Sequence, residues 1–172
     1  MTHEAATLAA TALQRINVAF AERSPPTALS DSLQLSDSEY DEVMAFEGLG
    51  WQDVTFDQIW QMPDVVFWFS PAAFGYYLPG ILAAGLREAR FDTDAYDAII
   101  GMLDRSPEPD YWDDFFAPRW SLLSVDEIDA VVAWLEWLQA VQPDEVYSGT
   151  YRRVRDTLAL LRMMAEDRVR PS

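Results

Sequence analysis

The sequence SPAAFGYYLPGILAAGL, residues 70–86, predicts a helix with one face in the core. Ser70 is a typical N-cap residue, because its hydroxyl can accept a hydrogen bond from a free amide of the first helical turn. Pro71 suits the first helical position, where the amide needs no partner. Apolar side chains then recur at a spacing of three or four residues, which places them on one face: Phe74, Tyr77, Leu78, Ile81, Leu82 and Leu86. Pro79 interrupts the pattern, and we expect the helix to kink or break after Leu78.

The residues directly before this helix favour a different local structure. Residues 65–69 have the sequence VVFWF, which is rich in β-branched and aromatic side chains. Such side chains are enriched in β-strands. The sequence therefore leaves open one short strand or extended segment at residues 64–69 within an otherwise helical protein.

The rest of the chain predicts more helices with clear boundaries. We expect an N-terminal helix within residues 1–23, a linker loop at 24–35, a helical core at 36–142 and a C-terminal helix at 148–168. Ser36 and Ser124 are each followed three residues later by glutamate, the pattern of a capping box at a helix start. Six or seven helices joined by short loops predict an all-α fold, an irregular single-domain bundle over residues 1–172.

The composition excludes several kinds of catalysis. The chain contains no cysteine and no lysine, and its one histidine, His3, lies beside the N-terminus. A Ser-His-Asp or Cys-His mechanism needs an imidazole held against the nucleophile, and Schiff-base chemistry needs a lysine. Structural zinc needs cysteine or histidine ligands. We therefore expect a protein that is not an enzyme, with no catalytic residue, no metal site and no cofactor.

Carboxylates are the remaining groups with catalytic potential. The densest clusters are Asp92, Asp94 and Asp97, and Asp110, Asp113 and Asp114. Oxygen ligands of this kind can hold Mg²⁺, but aspartates are also common at helix starts, where they cap free amides. A carboxylate-based enzyme that uses Mg²⁺, or a small-ligand-binding protein, is therefore kept as one alternative, and a structural or scaffold protein as another.

The charge of the chain indicates what it can bind. The formal net charge is −17, and residues 1–150 contribute 26 acidic residues against six arginines. Such a surface repels nucleic acid and anionic membranes and attracts a basic partner, although an acidic surface can also serve solubility alone. The absence of cysteine fits a reducing compartment, and no basic segment followed by an apolar run opens the chain. We expect a cytoplasmic protein with no membrane span.

These observations favour a protein-binding module over an enzyme. An acidic pair embedded in aromatic residues suits the surface of a basic partner, because aromatic side chains anchor interfaces. The predicted partner-binding residues are Tyr111, Trp112, Asp113, Asp114 and Phe116, with Tyr76 and Trp137 as further candidates. A small acidic protein of this kind is expected to be an immunity protein or inhibitor that neutralises a toxin with a basic surface.

Two segments also resemble a known family. Residues 69–79, FSPAAFGYYLP, are similar to the "LSPEAFRYYLP" signature of an uncharacterised family of small bacterial proteins, a domain of unknown function. Residues 119–138 match a second and weaker block of that family. Gly75 stands where the family usually has arginine, so any role of that arginine is absent from this chain. The resemblance implies a compact helical domain and no particular activity.

Overall fold

A computed structural model describes residues 2–32, 34–142 and 148–169, and these residues form an all-α single domain without a β-strand. The helices are α1 (His3–Ala19), α2 (Asp37–Met44), α3 (Phe56–Gln61), α4 (Val65–Trp68), α5 (Pro71–Glu88), α6 (Asp94–Leu103), α7 (Phe116–Trp120), α8 (Val125–Val141) and α9 (Ser148–Val169). Two 3₁₀ turns occur at Trp51–Asp53 and Pro109–Tyr111. Six of these α-helices have eight residues or more. The predicted fold class is confirmed.

The alternative of a strand or extended segment at residues 64–69 is wrong. Val65–Trp68 form the short helix α4, and Val65 and Val66 are buried. The described residues offer no neighbouring strand with which this segment could pair. A lone strand would leave its buried amides without partners, whereas a helical turn satisfies them locally, as in the hydrogen bond from Phe69 N to Val65 O of 3.2 Å. Burial therefore overrides the β-propensity of the side chains.

Helix α5 lies at the centre of the core. All residues from Ala73 to Leu86 are buried, and α5 packs against α1, α3, α7, α8 and the first 3₁₀ turn. Ser70 caps the helix, since its hydroxyl accepts a hydrogen bond of 3.1 Å from Ala73 N, and Pro71 occupies the first turn as predicted. The expected break after Leu78 does not occur. The helix continues through Pro79 to Glu88.

Two glycines allow other elements to approach α5 closely. A Cβ atom at Gly80 would lie 2.1 Å from the main-chain oxygen of Trp51, so the first 3₁₀ turn packs directly on the helix backbone. A Cβ atom at Gly85 would lie 2.2 Å from the Tyr96 hydroxyl of α6. The Tyr96 hydroxyl accepts a hydrogen bond from Gly85 N and donates one to the main-chain oxygen of Ile81, which is also in α5. Each contact requires the absence of a side chain on α5.

The helices outside α5 are joined by caps and ion pairs. The predicted capping boxes form at Ser36 and Ser124. Glu127 of the second box also accepts two hydrogen bonds from Arg23, of 2.5 and 2.7 Å, which fixes the residues after α1 against the start of α8. Within the described ranges, none of the helices combines the length and hydrophobicity that crossing a bilayer requires.

Candidate functional site

The predicted partner-binding residues fall into two groups by exposure. Tyr76, Phe116 and Trp137 are buried, with at most 6% of their surface exposed, so they belong to the core in this conformation. Tyr111 is 74% exposed. Asp113 and Asp114 are also exposed, and Trp112 is half-buried. The structure therefore keeps residues 111–114 at the surface and separates them from the other three.

Asp113 has a structural contact that the sequence did not reveal. Its Oδ1 accepts hydrogen bonds from Phe115 N (3.2 Å) and Phe116 N (2.7 Å), so the carboxylate caps the start of α7. Its Oδ2 lies 3.2 Å from the guanidinium of Arg105. Asp114 is equally exposed, but it forms no side-chain hydrogen bond or ion pair within the described part of the chain. Of the two predicted acids, Asp114 is therefore the one that can change without loss of a cap.

Trp112 presents one side to solvent and packs the other against the core. Its indole nitrogen donates a hydrogen bond of 3.0 Å to Ser106 O. Its ring meets Phe116 edge to face at 5.0 Å between centroids. The ring is already held in place, so Trp112 would lose little conformational entropy on contact with a partner.

A pair of aromatic rings beside this segment was not predicted. Phe67 of α4 and Phe115, just before α7, lie 6.1 Å apart between centroids, and both remain half-buried. We call this pair the aromatic ridge. A strand or extended segment was the alternative for residues 64–69, and the ridge forms because α4 is instead a single helical turn. In that turn Val65 and Val66 are buried and Phe67 remains half-buried.

A groove runs along each side of the ridge, and Phe67 and Phe115 line both. The large groove has a volume of about 570 Å³ and is also lined by Leu35, Trp68 and two carboxylates, Asp31 and Glu39. The small groove, about 280 Å³, also contains Met102, Arg105 and Asp113. Apolar walls with carboxylates beside them suit a ligand that carries both apolar and cationic groups.

Arg119 lines the large groove although only 7% of it is exposed. Its guanidinium lies 3.8 Å from the centre of the Phe115 ring. Its terminal nitrogens donate to two main-chain oxygens, those of Phe115 (2.9 Å) and Phe69 (2.7 Å). Burial lowers the pKa of Arg119, against the raising effect of the carboxylates of Asp31 and Asp113. The residue joins α7 to the end of α4.

The carboxyl groups with raised pKa values lie elsewhere. Burial raises the pKa of Glu42 in α2, and the charge of Asp64 raises it further. Burial and Asp94 raise the pKa of Asp97 in α6. Neither Glu42 nor Asp97 lines either groove. In the part of the chain that the structure describes, no group of three or more acidic or histidine side chains is arranged to hold a metal ion.

Some signal for the missed residues was present in the sequence. Arg105 and Arg119 are the two basic residues between positions 91 and 150, and each lies within a few residues of several aromatic side chains. An isolated arginine in such a setting commonly stacks on a ring. Both do so here, Arg105 on Phe116 at 5.2 Å and Arg119 on Phe115.

Comparison with known proteins identifies the family of the chain. The model of a family of unknown function, DUF6714, matches residues 13–157. The chain belongs to this family, which agrees with the resemblance to an uncharacterised domain. No curated protein and no solved structure matches the chain. The family assigns no activity, so the function has to be inferred from the surface itself.

Proposed function

We propose that this member of a family of unknown function is an acidic protein-binding module that docks a basic protein on the aromatic ridge. The observation that supports the proposal is the position of Phe67 and Phe115, half-buried between two grooves that carboxylates border. Tyr111, close in sequence to Asp113 of the small groove, is a further aromatic side chain at the surface, with 74% of it exposed. Exposed aromatic groups beside acidic groups are the composition expected of an interface that receives arginine or lysine.

The two kinds of side chain have different roles in this proposal. Carboxylates accelerate the encounter with a basic protein, but salt screens surface charges beyond about 8 Å at physiological ionic strength. Aromatic rings supply contact area and exclude water, which mainly slows dissociation. We call the carboxylates that line the two grooves, Asp31, Glu39 and Asp113, the acidic rim. The acidic rim and the aromatic ridge together therefore combine fast association with a long-lived complex.

The finer proposal is that the module is an immunity protein or inhibitor of a toxin. A toxin that acts on nucleic acid needs a basic substrate groove, and a protein with a net charge of −17 can occupy such a groove. The expected partner is the product of a neighbouring gene. Production of that product alone should arrest growth, and co-production of this protein should restore it.

Three variants test whether the ridge and its rim are the binding surface. Asp31→Asn with Asp114→Asn removes one exposed charge that lines the large groove and one that follows Asp113 of the small groove in the sequence, and it should slow association and flatten its salt dependence. Phe67→Ala should mainly speed dissociation, by about tenfold, as expected for a single aromatic anchor. The control is Glu136→Gln with Asp156→Asn, which makes the same change in net charge on exposed positions of α8 and α9.

The measurement is association and dissociation kinetics at two salt concentrations with the purified neighbouring gene product. A control variant as slow to associate as the rim variant would show that net charge, and not this surface, drives the encounter. Binding that is independent of salt, or unaffected by both the rim and the ridge variant, would contradict the proposal. A neighbouring product that has no effect on growth would contradict the finer proposal of an immunity protein.

A further inference from the structure

The two grooves beside the aromatic ridge differ in charge. The large groove is lined by two carboxylates, Asp31 and Glu39, and by one cation, Arg119, which leaves one negative charge in excess. In the small groove the guanidinium of Arg105 and the carboxylate of Asp113 lie 3.2 Å apart and compensate each other. A ligand that enters both grooves is therefore expected to be cationic on one side of the ridge and uncharged on the other.

The excess negative charge of the large groove is available to a ligand. Asp31 is exposed, and although its charge acts on Arg119, it forms no side-chain hydrogen bond or ion pair within the residues that the structure describes. Glu39 uses only Oε2 for the capping box of α2, where it accepts hydrogen bonds of 2.6 and 2.8 Å from the amide and hydroxyl of Ser36. Trp68 adds a half-buried aromatic wall, and aromatic faces attract cations.

The small groove is open because α6 has a glycine in its last turn. Gly101 lines the groove, and a Cβ atom there would have nothing within 4 Å. Its backbone is helical without a positive φ, so neither the conformation nor a close neighbour requires glycine, in contrast to Gly80. Glycine inside a helix lowers stability relative to alanine. What this glycine provides is space beside Met102, in an apolar groove of about 280 Å³ that has room for one side chain.

We propose that the two grooves bind one extended segment of the partner, with a lysine or arginine in the large groove and an apolar side chain in the small groove. This inference rests on the proposed function, for which it names the part of the partner that is recognised. The segment crosses the aromatic ridge, whose rings lie 6.1 Å apart between centroids. An extended chain advances about 3.3 Å per residue, so side chains two to four positions apart, separated by roughly 7–13 Å, can straddle the ridge.

A single chain suits both grooves because the ridge alone separates them. Phe67 and Phe115 line the large groove on one side and the small groove on the other. Each groove also rejects the wrong side chain. Arg105 repels a second cation from the small groove, and an apolar side chain in the large groove would remove water from the carboxylates without compensating them. The pair of grooves therefore selects one basic and one apolar residue over two of either kind.

The test measures binding of wild-type protein to immobilised octapeptides by interferometry. The peptides have acetylated N-termini and C-terminal amides, and they carry arginine and leucine two, three or four positions apart among serine and glycine. Matched sets replace the arginine by glutamine, the leucine by serine, or both. We expect the full set at its best spacing to bind about tenfold or more tightly than either single replacement, since a buried apolar side chain and a paired charge each change affinity by about that factor.

Two variants should each remove one selection and keep the other. Asp31→Asn balances the charge of the large groove, so it should lose most of the advantage of arginine and keep that of leucine. Gly101→Met fills the small groove, so it should lose the advantage of leucine and keep that of arginine. Asp156→Asn and Ala10→Met are the matched controls, at exposed positions outside both grooves, and should keep both selections. Melting temperatures check that all four variants fold.

The outcomes separate this inference from the proposed function. Peptides with arginine alone that bind as tightly as the full set would overturn the inference and leave the proposed function standing. Peptides with leucine alone that bind as tightly as the full set would contradict both. No binding to any set would overturn the extended segment, and the kinetics with the neighbouring gene product would still decide the proposed function. A groove variant that keeps both selections, or loses both while its control keeps them, would overturn the assignment of one side chain to each groove.

Discussion

The ion pair between Arg23 and Glu127 gives the sharpest prediction for stability. Glu127 Oε1 and Oε2 accept hydrogen bonds of 2.5 and 2.7 Å from Arg23, and Oε2 also accepts one of 2.8 Å from Ser124 N. The Glu127 side chain is only 6% exposed and that of Arg23 27%. Glu127→Ala therefore removes a bidentate ion pair and half of a capping box in one step.

The expected cost follows from these two contributions. Removal of one partner of a buried ion pair costs about 3–5 kcal/mol, and the lower value applies because solvent reaches part of Arg23. Loss of the capping contact adds about 1 kcal/mol. We therefore expect Glu127→Ala to lower the free energy of unfolding by about 4 kcal/mol, or the melting temperature by about 8–16 °C for a chain of this size.

Glu127→Gln separates the two contributions. Glutamine can still accept the hydrogen bond of a capping box but carries no charge, so its cost should be about 3 kcal/mol. The double variant Arg23→Ala with Glu127→Ala should cost less than the sum of the single variants, because it leaves no unpaired buried charge. Urea unfolding followed by circular dichroism measures the wild-type protein and the four variants Glu127→Ala, Glu127→Gln, Arg23→Ala and the double variant.

The control is an exposed ion pair on another part of the surface. Asp57 pairs with Arg90 at 2.8 Å, but the Asp57 side chain is 74% exposed. Asp57→Asn should leave the melting temperature unchanged, since solvent screens such pairs. The reasoning is refuted if Glu127→Ala lowers the free energy of unfolding by less than about 1 kcal/mol. It is also refuted if the losses of the two single variants add up to the loss of the double variant.

Two further predictions concern backbone packing and pH. Gly80→Ala should strongly destabilise the protein, because the new Cβ would lie 2.1 Å from a main-chain oxygen. Gly101→Ala, whose Cβ would have nothing within 4 Å, should stabilise the protein by about 0.5–1 kcal/mol. Thermal melts distinguish the two variants, and equal effects would contradict the packing account. Burial raises the pKa of Glu42, so its charge destabilises the folded state at neutral pH. Glu42→Gln should therefore raise the melting temperature at pH 7, and the gain should vanish as the pH falls through the pKa of Glu42 and the wild-type carboxyl becomes neutral. A gain that is constant with pH would contradict this assignment.

Helix positions were predictable because their signals are local. Ser36, Ser70 and Ser124 begin helices as predicted, since cap, spacing and apolar period agree within a few residues at each site. Residues 65–69 were ambiguous for the opposite reason. Their side chains favour a strand, and the absence of a pairing strand is a property of the whole fold that a five-residue window does not contain.

The surface was harder to predict than the helices. Phe116 and Phe115 are adjacent in sequence, yet Phe116 is fully buried and Phe115 is half-buried beside a groove. Which of the two neighbouring rings faces solvent depends on the orientation of α7. A helix of five residues is too short for the spacing of its apolar residues to reveal that orientation. The aromatic ridge combines α4 with the start of α7, which lie far apart in the sequence, so no single segment identifies it.

The charge of the protein and the exposure of the ridge depend on each other. Exposed aromatic surface promotes self-association, because two such surfaces can bury each other. Two copies of this chain, each with a net charge of −17 and with carboxylates beside the ridge, repel one another at the distance where the rings would begin to pack. The same carboxylates attract a basic partner. The acidic rim therefore acts twice in the proposed function: it keeps the aromatic ridge free of other copies of the chain and admits a partner of opposite charge.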